Sequence, residues 1–346
     1  MSKGRWGLMA AALGLLPLCE AQTILEYQQT TYAWTGPMGV LALADDWSGD
    51  LHRGGEDGFA WDQRQASVAY NGLQVSYVYR LHAQYRFPWQ AAQGYYNYVQ
   101  QVDLAEEYRF DTRIEVQQYQ GEGPALAYRF EGQRWYLIPQ YNQLNIYKLY
   151  WGSLDGELYY RNPDDWGGDI QVDYGYTDDP VVRRQLDQRS YGTLYGLDLS
   201  AGWQQGQYRV DYRGYNLLAR IDWPDMPYTR ARVCTDCSFF IYGYEYFDDR
   251  VERPARVHQL YQAYQWRPDL AFTFNSLINP IHPLWQAGVD WLAAGIHWQT
   301  SLELGSGALR LGVEHPWARL GLMLEPDSSI KNSRTLGLDV GLRLAF

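Results

Sequence analysis

Between Leu336 and Phe346 every second residue is apolar: Leu336, Leu338, Val340, Leu342, Leu344 and Phe346. The residues between them are Gly337, Asp339, Gly341, Arg343 and Ala345. A helix would spread these apolar side chains around its circumference, whereas a strand puts all of them on one face. A run of this length suits a tilted membrane crossing of about 9–11 residues better than a soluble strand of about 5–6.

The same period recurs upstream. Asn71-Gly72 is a strong two-residue hairpin signal. After it Leu73, Val75, Tyr77, Tyr79, Leu81, Ala83, Tyr85 and Phe87 share one face, opposite Gln74, Ser76, Arg80, His82, Gln84 and Arg86. Residues 107–118 set Tyr108, Phe110, Ile114 and Val116 against Glu107, Arg109, Asp111, Arg113 and Glu115. Residues 193–203 repeat the pattern, and Tyr208, Val210 and Tyr212 then oppose Arg209, Asp211 and Arg213. The phase slips at Gly214-Tyr215, as a β-bulge would make it, and places Tyr215, Leu217, Ala219, Ile221 and Trp223 on the apolar face. Further strands surround Glu303, Arg310 and Glu314.

The N-terminus has Lys3 and Arg5 ahead of an apolar stretch from Trp6 to Leu18, and Cys19 and Ala21 supply small residues for cleavage. That stretch is too short to span a bilayer and reads as a secretory signal, residues 1–21, leaving 22–346 as the mature domain. Its removal makes the net charge one unit more negative than the −11 of the whole chain. An acidic balance argues against a nucleic-acid partner. The mature cysteines, Cys234 and Cys237, stand two residues apart, and export favours a local disulfide between them. No second ligand pair supports a metal there, and no cofactor motif is evident.

With 31 Tyr and 15 Trp but a mean hydropathy of only −0.46, the aromatic content is amphipathic. Such rings suit the headgroup level of a bilayer, and half of each strand facing a wet interior accounts for the low hydropathy. The fold expected is all-β: a single closed antiparallel transmembrane β-barrel of about 14–16 strands.

The signal, the alternating strands and the terminal strand ending on Phe346 resemble the Gram-negative outer-membrane β-barrel proteins as a class. The resemblance implies an outer-membrane location and contact with lipid and lipopolysaccharide. It also implies that Phe346 takes part in the signal read by the barrel-assembly machinery during insertion.

The candidate site is the charged set on the non-lipid faces: Arg80, Arg86, Arg109, Arg113, Arg209, Arg213, Arg310 and Arg343, with Glu107, Asp111, Glu115, Asp211, Glu303, Glu314 and Asp339. Projecting inward together they would line a pore that sorts small polar solutes, or fill a narrow barrel with ion pairs. The function expected is a porin-like channel for passive diffusion. The alternatives are a lipid- or lipopolysaccharide-modifying hydrolase and a closed-lumen structural or envelope-biogenesis barrel. No histidine stands at a motif spacing from a nucleophile, so no catalytic residue is assigned. Acidic pairs such as Asp45-Asp46 and Asp178-Asp179 fall in loops and read as solvated turns.

Overall fold

A computed structural model describes residues 23–346 apart from 46, 54–55, 105, 163, 180–184, 187–189, 236–239 and 327–328, with the backbone alone for 44, 233 and 240–249. The leader segment 1–21 and Cys237 lie outside the described residues, and so does the Cys234–Cys237 pairing. Statements of number below refer to the described residues.

The chain opens with β1 (Thr23–Thr35), the short helix α1 (Val40–Ala44), β2 (Asp57–Tyr70) and β3 (Leu73–Arg86). Helix α2 (Trp89–Val99) precedes β4 (Tyr108–Asp111), β5 (Ile114–Tyr128), β6 (Phe130–Glu131) and β7 (Trp135–Asn162). Then come β8 (Asp165–Tyr176), β9 (Gly192–Gln205), β10 (Tyr208–Cys234), β11 (Phe240–Glu252) and β12 (Val257–Arg267). The shorter β13 (Leu270–Ile278), β14 (Leu284–Ala293), β15 (Ile296–Glu303), β16 (Leu309–His315), β17 (Ala318–Leu324) and β18 (Thr335–Ala345) complete the chain.

Some of these segments lie end to end. β4, β5 and β6 all run along β7; β8 and β9 both lie between β7 and β10; β11 and β12 both run along β10. Joined so, they make fourteen antiparallel staves, and β1 pairs with β18 to close the barrel. Thr23 N donates to Phe346 O at 3.2 Å and Phe346 N to Thr23 O at 2.9 Å, sealing the seam. Closure leaves no edge strand and satisfies the backbone internally, which a bilayer core demands.

One end of the barrel, called inner here, carries tight turns. Asn71 and Gly72 have φ of 49° and 81°, the left-handed pair a type I′ hairpin needs. A Cβ on Gly72 would also sit 3.0 Å from Arg129 O. Gly72→Val should therefore lower the unfolding free energy by about 1–3 kcal/mol, read from the urea midpoint of refolded protein. An unchanged midpoint would contradict the turn assignment. The opposite, outer end carries the longer connections, including those with α1 and α2. Short turns at one end and long loops at the other are the pattern of outer-membrane barrels.

The outward face of the inner half is apolar. Leu25, Val68, Tyr70, Leu73, Val75, Tyr77, Leu126, Leu302, Leu311, Leu320, Leu322, Leu342 and Leu344 are all exposed. Trp135, Trp203, Trp298 and Trp317 lie near the same turns. In water this band would be unfavourable; in lipid it is the matching surface. The chain is an outer-membrane β-barrel in architecture.

Strands β7 and β10, of 28 and 27 residues, are far longer than a crossing requires. With β4, β8 and β11 they raise a wall beyond the outer end. Cross-strand ion pairs run along it: Arg109–Glu157 at 2.9 Å, Arg113–Asp155 at 3.2 Å and Arg230–Asp173 at 3.0 Å. These are exposed and add little to stability. α2 packs Ala91, Ala92, Gly94 and Asn97 inward, with Gly94 so close to Phe110 that a Cβ would lie 2.7 Å from its ring. The alternation reading finds no such helix. Pro88 at its N-cap makes no side-chain cap, and its first and last turns carry no charge complementary to the dipole.

Candidate functional site: the lumen and its outer belt

Strand parity decides what faces the interior. Because Leu73, Val75 and Tyr77 face outward, Ser76, Val78, Arg80 and His82 face in. Because Val68 and Tyr70 face outward, Trp61, Gln63, Gln65 and Ser67 face in. The two sets meet near the outer end of the short staves and fill it.

Arg80 stands at the centre of this belt and is fully buried. Its Nη2 donates to Asp198 Oδ2 at 2.5 Å, its Nη1 to Asn216 Oδ1 at 2.6 Å and its Nε to Gln63 Oε1 at 3.1 Å. Asp198 also accepts from Asn142 Nδ2 and from Asn216 N, both at 2.8 Å. Asn216 reaches Tyr119 Oη at 2.9 Å. The guanidinium lies 5.3 Å from the Trp61 ring and 5.7 Å from that of Tyr215. A buried ion pair whose two ions both make further hydrogen bonds is the form in which such a pair is tolerated.

Around this polar centre the belt is apolar. Tyr32, Phe59, Trp61, Tyr215, Val257, Leu277, Leu284 and Met323 form one buried cluster, and Val78, Tyr119, Leu144, Ile146, Leu194, Ile221 and Trp223 another. This corrects one expectation. The slip at Gly214 is present, as a register shift between Gly214 and Leu218 with Asn216 at φ 56°. It turns Tyr215, Ile221 and Trp223 into the interior, while Leu218 is exposed outward. Three buried polar atoms of the belt, Tyr32 Oη, Trp61 Nε1 and His82 Nε2, make no hydrogen bond. Orphans of this kind are uncommon in a settled core.

On the inner side of the belt lie two cavities, of about 1010 Å³ and about 380 Å³, which share Tyr136 and Arg213 in their walls. The larger is lined by Glu26, Gln28, Gln63, Gln65, Ser67 and Gln140 and reaches the inner mouth at Asn71 and Arg343. The smaller lies against β10 and β12 to β18. Both walls mix polar and charged side chains with aromatic and aliphatic ones.

The structure separates the sequence-derived charges by height. Arg209, Asp211, Arg213, Arg310, Glu314 and Asp339 line the smaller cavity, and Arg213 and Arg343 the larger. Arg209 pairs with Asp211 at 2.6 Å, and Arg310 with Asp339. Arg80 is in the belt. Glu303, 1% exposed, caps the β15–β16 turn through Gly305 N at 2.8 Å and Ser306 N. Arg86 lies at the outer end, 3.9 Å from Asp57. Glu107, Arg109, Asp111, Arg113 and Glu115 are exposed at the outer wall or its base. Arg319, Asp198, Asp290 and His297 also belong to the interior, and sequence reasoning does not single them out. The Leu320–Leu324 alternation was the available signal for Arg319, one step before its first leucine.

Two groups outside the staves titrate abnormally. Hydrogen bonds from Lys331 and Ser48 hold the exposed Asp45 carboxyl below its usual range. His282, in the loop between β13 and β14, stacks on Trp34 at 3.8 Å, and burial pushes its imidazole below the ordinary 6.5, with Glu303 opposing. A depressed histidine favours the fold above its unfolded value and loses that contribution as pH falls. His282 should therefore titrate below 6.5 in an NMR pH series, with the loop loosening as it protonates. Titration at or above that value would contradict the buried placement.

No protein-family profile matches the chain, and no curated protein matches it. Among solved structures it is similar to the toluene transporter TbuX of Ralstonia pickettii, with 9% identity over 94% of this chain and 88% of that one at a TM-score of 0.31. It is similar to the toluene transporter TodX of Pseudomonas putida at 9% identity, 94% and 89% coverage and TM-score 0.33. The translocator domain of the autotransporter NalP from Neisseria meningitidis gives 8% identity, 97% and 91% coverage and TM-score 0.30.

Proposed function

We propose that this barrel resides in the outer membrane of a Gram-negative bacterium and acts as a channel for small polar solutes, narrowed at its outer belt. The observation that carries the reading is the polar interior: cavities of about 1010 Å³ and 380 Å³ whose walls carry Gln, Ser, Asp, Glu and Arg side chains. A barrel that served only as a membrane wall would gain by filling this volume with apolar side chains. The belt consists of side chains from the staves themselves, not of an inserted domain, so rotamer changes can widen it. The unpartnered Tyr32, Trp61 and His82 atoms would gain water partners when it does.

A closed-lumen barrel is the second reading, and the fully buried Arg80–Asp198 centre is the observation that favours it. Planar-bilayer recording on purified protein separates the two. The channel reading expects discrete conductance steps. Their absence at every voltage, both in the native protein and with the belt thinned by Trp61→Ala, would overturn it. A hydrolase is supported by no arrangement in the lumen: the histidine–hydroxyl hydrogen bond among the described residues joins Tyr212 and His258, at 2.8 Å.

A further inference from the structure

The lumen holds four arginines around the smaller cavity, Arg209, Arg213, Arg310 and Arg319, and four acids, Asp211, Asp290, Glu314 and Asp339. In formal charge they balance, but the hydrogen bonds do not. Asp211 is held by Arg209 and accepts from Tyr136 Oη at 2.8 Å. Asp339 is held by Arg310. Asp290 accepts from Tyr261 Oη at 2.7 Å. In the neighbouring cavity Glu26 accepts from Gln28 Nε2 at 2.7 Å. Three of the four acids of the smaller cavity, and Glu26 beside it, thus have donors already.

Three guanidiniums have no such carboxylate partner. Among the described residues, no ion pair joins Arg213, Arg319 or Arg343 to a carboxylate, although Arg319 faces Glu314 and Arg343 faces Glu26 in register. Arg319 Nε is buried and has no hydrogen-bond partner. Arg213 stands in the shared wall of both cavities, and Arg343 at the inner mouth. The lumen face beside them is cleared by glycine: a Cβ on Gly341 would lie 3.4 Å from Arg319 Cβ, and one on Gly321 3.4 Å from Arg310 Nη2. Arg213 has the Tyr215 hydroxyl beside it but no carboxylate, and Arg319 Nε has no acceptor; an oxyanion supplies the charge and the paired acceptor geometry that both lack.

We infer that Arg213 and Arg319 form an anion-binding site in the lumen, entered past Arg343, for small solutes bearing a carboxylate or phosphate group. This rests on the channel reading and names the solute class it favours. The two can fail separately. The native protein should conduct with a chloride-over-potassium permeability ratio of at least about two. Arg213→Gln/Arg319→Gln should bring that ratio to one or below, Arg319→Lys should retain it, and Arg109→Gln, on the outer wall, should leave it unchanged. Citrate and inorganic phosphate serve as probes by calorimetry on detergent-solubilised barrel, with heat-modifiable migration verifying that each variant is folded.

Four results are possible. Conduction that is cation-preferring, or anion-preferring but unmoved by the double substitution, overturns the site and spares the channel. No conduction, with citrate or phosphate binding that the double substitution abolishes, overturns the channel and supports the site. Neither conduction nor binding overturns both. Anion preference lost in the double variant and kept in Arg319→Lys supports both, and phosphate binding without citrate binding assigns the phosphate class.

Discussion

Replacing Arg80 by Leu should lower the unfolding free energy of the barrel by about 3–5 kcal/mol, the largest stability effect expected of any lumen charge. The substitution leaves Asp198 buried, with its other donors, Asn142 Nδ2 and Asn216 N, unable to neutralise it. It also removes the group that Asn216 and Gln63 satisfy. Coulombic attraction does not by itself make a buried pair valuable, since desolvation of both ions offsets it; the penalty comes from leaving one ion alone. The control follows directly. Arg80→Leu/Asp198→Leu removes both charges and should recover most of the loss, whereas an exposed pair such as Arg109–Glu157 should give less than about 1 kcal/mol when broken. Urea unfolding of protein refolded into lipid vesicles measures all three. A single Arg80→Leu variant as stable as the native protein would mean that the belt is hydrated and the guanidinium already free.

Trp61→Ala should enlarge the single-channel conductance by at least about twofold. Trp61 is fully buried among Tyr215, Phe59 and the Arg80 guanidinium, and it packs on Tyr215, which lines the larger cavity. Removing the indole opens space that the neighbouring rings, anchored on separate staves, cannot fill by a small shift. The substitution also costs stability, about 3–5 kcal/mol for a buried Trp in general, so folded barrel is selected by its unheated gel migration before recording. Equal conductance in native and Trp61→Ala protein would place the constriction elsewhere in the lumen.

Much of this architecture is written in the alternation. The hairpin at Asn71-Gly72, the terminal strand, the bulge after Gly214 and the closed barrel of fourteen staves all follow from local period and turn chemistry. What the period cannot supply is height along the barrel axis. Arg109 and Arg209 occupy equivalent places in equivalent patterns, yet one stands on the outer wall and the other lines a cavity. Height is set by register between distant strands, such as Arg80 against Gly121 and Gln63, and no single strand carries that information. Aromatic residues pose the same problem. Tyr77 and Tyr215 both read as lipid anchors, but only Tyr77 is exposed. Tyr215 is carried inward because the backbone shifts register between Gly214 and Leu218. Asp198 looks like an ordinary polar alternate until three staves bring Arg80, Asn142 and Asn216 to it.

The claim beneath all of these expectations is that the chain closes into a membrane barrel around a polar interior. Gel migration of the protein extracted from outer-membrane fractions in mild detergent, with and without boiling, tests it most directly. The account predicts a compact, fast-migrating band in the unheated sample that shifts to the position of the full chain on boiling. A single band at the unfolded position in both samples, from protein shown to be native by its strand-rich circular dichroism, would contradict the closed barrel and everything built on it.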